Sequence, residues 1–401
     1  MTRQSALRTM RFHPNVDHYG GSAVTQSDGG WERSRFESTR FEWRVGDSGD
    51  PASLVSDFLG RHGLGLPGRT RPVDGVIGAS LHISAAAGAA MIDGAVGVAT
   101  PCPAVPDVVA VIYEDPAHVP GSWGVEAAGE GEGWAVGAWE PSWSAAAHRD
   151  AVRRVRAAIA RGDVYQVNVV GHASAPYRGD PLPALRRLAG LRGATYGGIL
   201  TGPGWALATA SPELLLRVEG DMVETRPIKG TRPATEEGRA QLLASAKERA
   251  EHIMIVDLER NDLAHVALTG SVEVSELFAV RRWCDLWQAE SRVTARLAPE
   301  VSLPDVLRAI CPGGSVTGAP KLAALAQIAA LEPVGRGPSM GALGWLDHRR
   351  LDLGLTIRTA AADGQRLHLW AGGGITWDSD PAAEVAEAAA KAAPLKAALA
   401  P

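Results

Sequence analysis

The spacing of apolar and polar positions changes several times along this chain, and each change predicts an element. In "HRDAVRRVRAAIARGD" (148–163), Val152, Val155, Ala158 and Ile159 share one face and the arginines the other, which predicts an amphipathic helix. "DVVAVIYED" (107–115) is a continuous apolar run of strand length, and "GDVYQVNVVGHASA" (162–175) predicts a turn and then a strand. "GWALATASPELLLRVEGDMVETRPI" predicts a two-stranded hairpin turning at Glu219-Gly220-Asp221. Residues 236–265 predict one long helix, with Leu242, Ala246, Ala250, Ile253, Met254, Asp257 and Leu258 recurring at helical spacing. "TGAPKLAALAQIAALEP" predicts a helix with Thr317 as N-cap, Pro320 in its first turn and Pro333 as its stop. A last helix, 381–399, opens at Asp380-Pro381.

Strands and helices in this mixture predict a large α/β unit. Residues 1–35 are polar, contain "GG" twice, and are expected to form a poorly ordered arm. Residues 36–145, rich in Gly, Ala and Val, are expected to form an N-terminal subdomain, and 146–401 a catalytic region. The 401 residues are 45% apolar and 21% charged, ordinary for a globular protein with room for a cleft in its core. The net charge of −5 argues against a general nucleic-acid binder. No run of about 18 apolar residues predicts a membrane span, and the N-terminus lacks the apolar region of a secretory signal, so cytoplasm is the expected location. Cys102, Cys284 and Cys311 have no metal-type spacing and are most simply buried small hydrophobes.

Several stretches carry candidate chemistry. Glu248 and Glu251 are three apart on one predicted helix, and Glu384 and Glu387 three apart on another, so each pair faces one way. Two such faces brought together would make a hard oxygen site suited to Mg²⁺, although exposed ExxE pairs are common on helices. Lys391, four residues after Glu387, is either a surface partner of that glutamate or a cation beside the metal. "AGGGITWDSD" and "CPGGSVTGAPK" are glycine runs whose amides can approach an anion, or simply turns. Arg358, alone in the apolar run "LGLTIRTA", is expected in a strand and needs an anionic partner, either a substrate carboxylate or an internal acid. In "ETRPIKGTRPAT", Lys229 is flanked by Arg226 and Arg232. Glu213 lies sixteen residues earlier, on the expected opposite arm of the hairpin, where a carboxylate and an amine could act as base and nucleophile.

Together "GDVYQVN", "SPELLL", "RPIKGTRP", "AEHIMIVDLERND", "PGGSVTGAPK", "LTIRTA" and "AGGGI", in this order from about Arg161 onward, resemble the chorismate-utilising enzymes. That family comprises anthranilate synthase component I, aminodeoxychorismate synthase component I, and the isochorismate and salicylate synthases. The resemblance implies two large, mainly antiparallel sheets packed together with helices outside, around a Mg²⁺-dependent chorismate site. It implies Glu251 and Glu387 as direct magnesium ligands, with Glu248 and Glu384 acting mainly through metal-bound waters. It implies Arg358, the amides around Gly373 and Gly374, and Lys391 as holders of the substrate carboxylates, and Thr317 as a polar contact. "PIKGT" rather than "PIAGT" is similar to the branch that aminates chorismate at C4. There the lysine corresponding to Lys229 is proposed to attack ring carbon C2, and the carboxylate corresponding to Glu213 moves the proton. Gln288 stands where the family usually has a histidine, and "GPSMGALGW" lacks the usual aromatic. No Gly-x-Cys-x-Gly segment of a glutamine amidotransferase occurs, so ammonia is expected from a separate amidotransferase subunit. The alternatives are anthranilate synthase component I, an isochorismate or salicylate synthase, or a chorismate-binding protein with reduced catalysis.

Overall fold

The computed structural model describes residues 37–114 and 133–401, with two short paired strands at Gln26–Ser27 and Gly30–Trp31. Most of the arm expected over 1–35 lies outside the described residues. Two large sheets, antiparallel throughout, dominate the architecture. In one, the neighbouring strands are Ile228–Pro233, Leu286–Arg296, Met222–Arg226, Leu214–Glu219, Arg350–Leu355, Ala342–Leu346, Val76–Ile83, Val108–Glu114 and Glu37–Trp43. Strand Glu273–Trp283 also pairs with Leu286–Arg296. The second sheet is built around the long strand Gln166–Arg178, followed by Arg366–Ile375, Thr359–Ala362, Trp205–Ser211 and Tyr196–Gly202.

The stretch 36–145 contributes to both sheets among the described residues. Its three long strands continue the larger sheet, because Val76–Ile83 pairs with Ala342–Leu346. Alternation along the strands assigns the two faces of the smaller sheet. Leu207, Ala361 and Trp370 point into the main core with Leu81, Ile112, Leu216 and Leu353 of the other sheet. Their neighbours Ala206, Ala208, Ala360, Leu367 and Leu369 point outward under Leu185, Leu188, Leu395 and Leu399 of two covering helices. The small alanines on this outer face leave space for helices to lie close.

The hairpin turns as expected, with Glu219 opposite Met222 and Gly220 at φ +62°. Helix Ala145–Ala160 begins three residues before the periodicity does, because Ser144 caps it. The predicted 236–265 helix is two helices, Glu236–Ala244 and Ala246–Ala264. Ser245 is extended between them, and its hydroxyl accepts from Glu248 N–H at 3.2 Å; apolar periodicity continues across such a break. Thr317 is not an N-cap. Pro320 holds that position for helix Lys321–Leu331, while the buried Thr317 hydroxyl donates to the carbonyls of Gly313 and Gly314 at 2.9 and 3.3 Å. Cys102, Cys284 and Cys311 are all free thiols; Cys102 and Cys311 are buried and Cys284 is half-buried. Among the described residues no helix is long and apolar enough to cross a membrane.

Candidate active site

Among the described residues the chain passes twice directly from one large sheet to the other, and both passages carry a charged residue. Glu213 lies between Trp205–Ser211 of the smaller sheet and Leu214–Glu219 of the larger. Arg358 lies between Arg350–Leu355 of the larger and Thr359–Ala362 of the smaller. Arg358 is therefore not in a strand, as its apolar neighbours suggested. It sits in a left-handed kink at φ +56°, a conformation unfavourable for a long side chain unless its surroundings hold it there. The two passages touch, since Leu355 N–H donates to the Glu213 carbonyl at 3.1 Å. The kink also frees one edge of strand Arg366–Ile375. Trp370 is the last residue paired with Thr359–Ala362, so Ala371–Ile375 keep only their other neighbour. Where the sheets part, a cleft of about 900 Å³, its open mouth included, takes in both residues.

Strand Ile228–Pro233 forms the opposite wall. A register shift at Gly230, which has φ +77°, separates the pairs Lys229–Ala289 and Thr231–Gln288. Lys229 is not on the hairpin arm facing Glu213; it follows Pro227 on the next strand, where Ile228 N–H donates to the Glu213 carboxylate. Ser315 Oγ donates to Glu213 Oε1 at 2.7 Å. Burial pushes the Glu213 carboxyl up to about 7, although these two donors and the charges of Lys229 and Arg358 oppose that rise. Arg226 pairs with Glu224 and, at 3.9 Å, with Glu290, while Arg232 meets Glu248 at 2.9 Å. Lys229 alone of the three cations has no hydrogen-bond or ion-pair partner among the described residues. Its amine lies against Gly374 beside the Gln166 side chain.

Gly373 and Gly374 border the cleft, and their lack of side chains leaves room for its charged groups. A Cβ on Gly373 would lie 3.3 Å from Glu384 and 3.6 Å from Lys391, and one on Gly374 would overlap the Lys229 amine. Arg358 is buried, with its guanidinium 4.0 Å over the Trp283 ring. Burial lowers it to about 10, and its Nη1 has no partner. Asn168 Oδ1, Gln288 Oε1 and both amide atoms of Gln166 are likewise buried without partners. Buried polar atoms are normally satisfied, so the open atoms of Arg358, Asn168 and Gln288, which line the cleft, are available to a polar ligand.

Both glutamate pairs line the cleft, in the first two turns of helices Ala246–Ala264 and Pro381–Leu399. Thr376 Oγ1 donates to Glu251 at 2.7 Å, and Ser379 Oγ to Glu384 at 2.6 Å. Lys391 Nζ meets Glu387 at 2.7 Å, forming the expected i, i+4 pair, and also donates to the Gly372 carbonyl at 3.0 Å. Lys391 holds the Glu387 carboxyl below its usual range, whereas burial raises Glu384. No three of these carboxylates bring oxygens within 4.8 Å of one another. Magnesium does not require that, because it binds through one or two carboxylates and keeps waters, so this all-oxygen donor set fits it.

Thr317 does not line the cleft. Asn168, Ser315 and Gln166 escaped the reading of the sequence; Gln166 and Asn168 stand two apart in "QVNVV", polar positions on one face of an otherwise valine strand. Ser315 was hidden inside a run read for its glycines.

A family model described as chorismate binding enzyme matches residues 113–397, which include all of these groups. The chain belongs to the chorismate-binding enzymes. It is 40% identical over 257 residues to an aminodeoxychorismate synthase component 1 of Salmonella typhimurium, covering 62% of this chain and 57% of that protein. It is 42% identical over 245 residues to an anthranilate synthase component 1 of Haloarcula marismortui, covering 59% and 50%. The match thus spans about half the length of these relatives. The crystal structure of anthranilate synthase component I from Streptococcus pneumoniae TIGR4 has a TM-score of 0.75 at 25% identity, over 90% of this chain and 91% of that one. The arrangement of two antiparallel sheets with outer helices is thus that of the anthranilate synthase component I fold.

Proposed function

We propose that this chain is the chorismate-aminating component of an aminodeoxychorismate synthase, converting chorismate and ammonia to 4-amino-4-deoxychorismate for 4-aminobenzoate and folate synthesis. The observation that carries this reading is the Lys229 amine, without a hydrogen-bond or ion-pair partner among the described residues, in the same cleft as Glu213, whose carboxyl burial pushes up to about 7. An amine must lose its proton to attack carbon, and Glu213, which lines the same cleft, would take it. The lysine nitrogen bonds to C2 as the C4–O bond breaks, and the hydroxyl leaves as water with the proton from Glu213. Gln288 can hydrogen-bond that hydroxyl but cannot protonate it, so the proton falls to Glu213. Ammonia then bonds to C4 as the C2–lysine bond breaks, and the amine is regenerated. Arg358, through its free Nη1, and Lys391 would bind the two carboxylates. Glu251 and Glu387 would hold magnesium directly, and Glu248 and Glu384 through water. Bound there, the ion would neutralise negative charge on the substrate. Ammonia would come from a separate glutamine amidotransferase subunit.

Anthranilate synthase component I is the second reading, supported by relatives of equal identity. Purified protein with chorismate, Mg²⁺ and ammonium salt is expected to give 4-amino-4-deoxychorismate, identified by mass. Lys229→Ala is expected to abolish that product while chorismate still binds. Anthranilate from the wild type would overturn the proposal.

A further inference from the structure

The same strand that contributes Gly373 and Gly374 carries a second group of ligating side chains at its other end. Six residues separate His368 from Gly374, roughly 20 Å along a strand. A nitrogen of His368, a carboxylate oxygen of Asp363 and the Cys102 sulfur all lie within 4.8 Å of one another. Cys102 comes from the loop before strand Val108–Glu114, and Asp363 from the turn joining Thr359–Ala362 to Arg366–Ile375. Among the described residues no other trio of His, Cys, Asp or Glu meets that spacing.

Neighbours hold Asp363 and His368 with one donor atom facing the cluster, and the buried Cys102 sulfur accepts from the Val105 N–H. Asp363 Oδ1 accepts the N–H groups of Gln365 and Arg366 at 3.0 and 2.7 Å, leaving Oδ2 toward His368 Nε2 at 3.0 Å. The Cys102 N–H donates to Thr100 Oγ1 at 3.1 Å. His368 Nδ1 meets His172 Nε2 at 3.1 Å, and His172 Nδ1 meets Ser142 Oγ at 2.6 Å. That chain can reverse its proton order. Without metal, His368 Nε2–H donates to Asp363. With metal on Nε2, Nδ1–H donates to His172, which in turn donates to Ser142. A ligating histidine whose other nitrogen is fixed by a hydrogen bond is the usual arrangement around zinc.

We propose that Cys102, Asp363 and His368 form a binding site for a zinc-class transition ion, distinct from the oxygen-only glutamate site of the cleft. Mixed sulfur, nitrogen and oxygen donors suit zinc and disfavour magnesium. Tetrahedral zinc sets its ligand atoms roughly 3.5 Å apart, so atoms within 4.8 Å of one another need to close by roughly 1.3 Å at most. Asp363 is half-buried, and through it water could supply a fourth ligand. By joining the Cys102 loop to the smaller sheet, the ion would tie the N-terminal third of the chain to the strand that borders the cleft.

Cobalt(II) is the probe, added to full-length, chelator-treated protein. A thiolate-to-cobalt charge-transfer absorption is expected at one ion per chain, displaced by Zn²⁺. It should persist in a Glu251→Gln/Glu387→Gln variant and vanish in Cys102→Ser, with folding checked by circular dichroism. His368→Gln, which keeps the thiol, should lose the band even if Cys102→Ser fails to fold. His172→Gln should weaken zinc binding roughly 10- to 100-fold. No thiolate band in the wild type, or a band unchanged in both Cys102→Ser and His368→Gln, would overturn the site and leave a buried thiol beside an Asp–His pair.

Discussion

Gly374→Ala is the most discriminating single change the cleft offers. The glycine sits on the wall facing Lys229, and an added Cβ would come well inside 3.0 Å of the amine, with the Gln166 side chain 3.1 Å away. Restoring an ordinary contact of at least 3.4 Å moves the lysine nitrogen by about 1 Å. A misplacement of that size can reduce turnover about 100-fold, equivalent to about 2.7 kcal/mol of transition-state stabilisation. The clash is with the ends of two side chains rather than with backbone, so the fold should tolerate it. The melting temperature should stay close to wild type. Gly373→Ala is the internal control, because its nearest atom, Glu384 Oε2, is already 3.3 Å away and the next lie at 3.6 and 3.9 Å. The assay is product formation from chorismate, Mg²⁺ and ammonium, resolved into kcat and KM. The expected result is a large kcat loss in Gly374→Ala and a change of a few-fold in Gly373→Ala. Equal effects from the two variants, or a Gly374→Ala enzyme within about twofold of wild type, would refute the placement of Lys229 as nucleophile.

Three further expectations concern charged groups. Glu213 titrates at about 7 in the fold against 4.5 ordinarily, so its favourable contribution is full below about pH 4.5 and is lost as pH rises through 7. Wild type should therefore lose about 3 kcal/mol relative to Glu213→Gln between about pH 4.5 and pH 8, measured from urea midpoints; a constant gap would contradict the burial argument. Arg336→Met should destabilise by about 3–5 kcal/mol in denaturant melts, because buried Glu332 loses its 2.7 Å partner and the carbonyls of Val316 and Asn168 lose their donors; adding Glu332→Leu should recover much of it. Glu251→Gln and Glu387→Gln should each raise the magnesium concentration for half-maximal activity by about tenfold or more, and an unchanged magnesium curve would remove them as ligands.

Local periodicity and chain chemistry were enough for the main elements of this protein. The arginine-striped helix, the hairpin at Gly220-Asp221, the apolar strand Val108–Glu114 and the helix opened by Asp380 all follow from forces acting within a few residues. The facing of each glutamate pair is of the same kind, since i and i+3 share a helix side. Ordered segments such as "RPIKGTRP" and "AGGGI" also pointed to the chorismate-binding family. What lay beyond the sequence depends on contacts between distant segments. Ser245 breaks a helix whose apolar pattern continues, and Thr317 turns inward to satisfy carbonyls instead of capping. Arg358 is forced into a left-handed kink because the chain must pass from one sheet to the other there. That passage ends the pairing of Arg366–Ile375 at Trp370 and so frees the edge at Gly373 and Gly374, against which the Lys229 amine of a distant strand comes to lie. A side chain's partners are set by which surfaces pack together, and spacing along a single chain does not encode them.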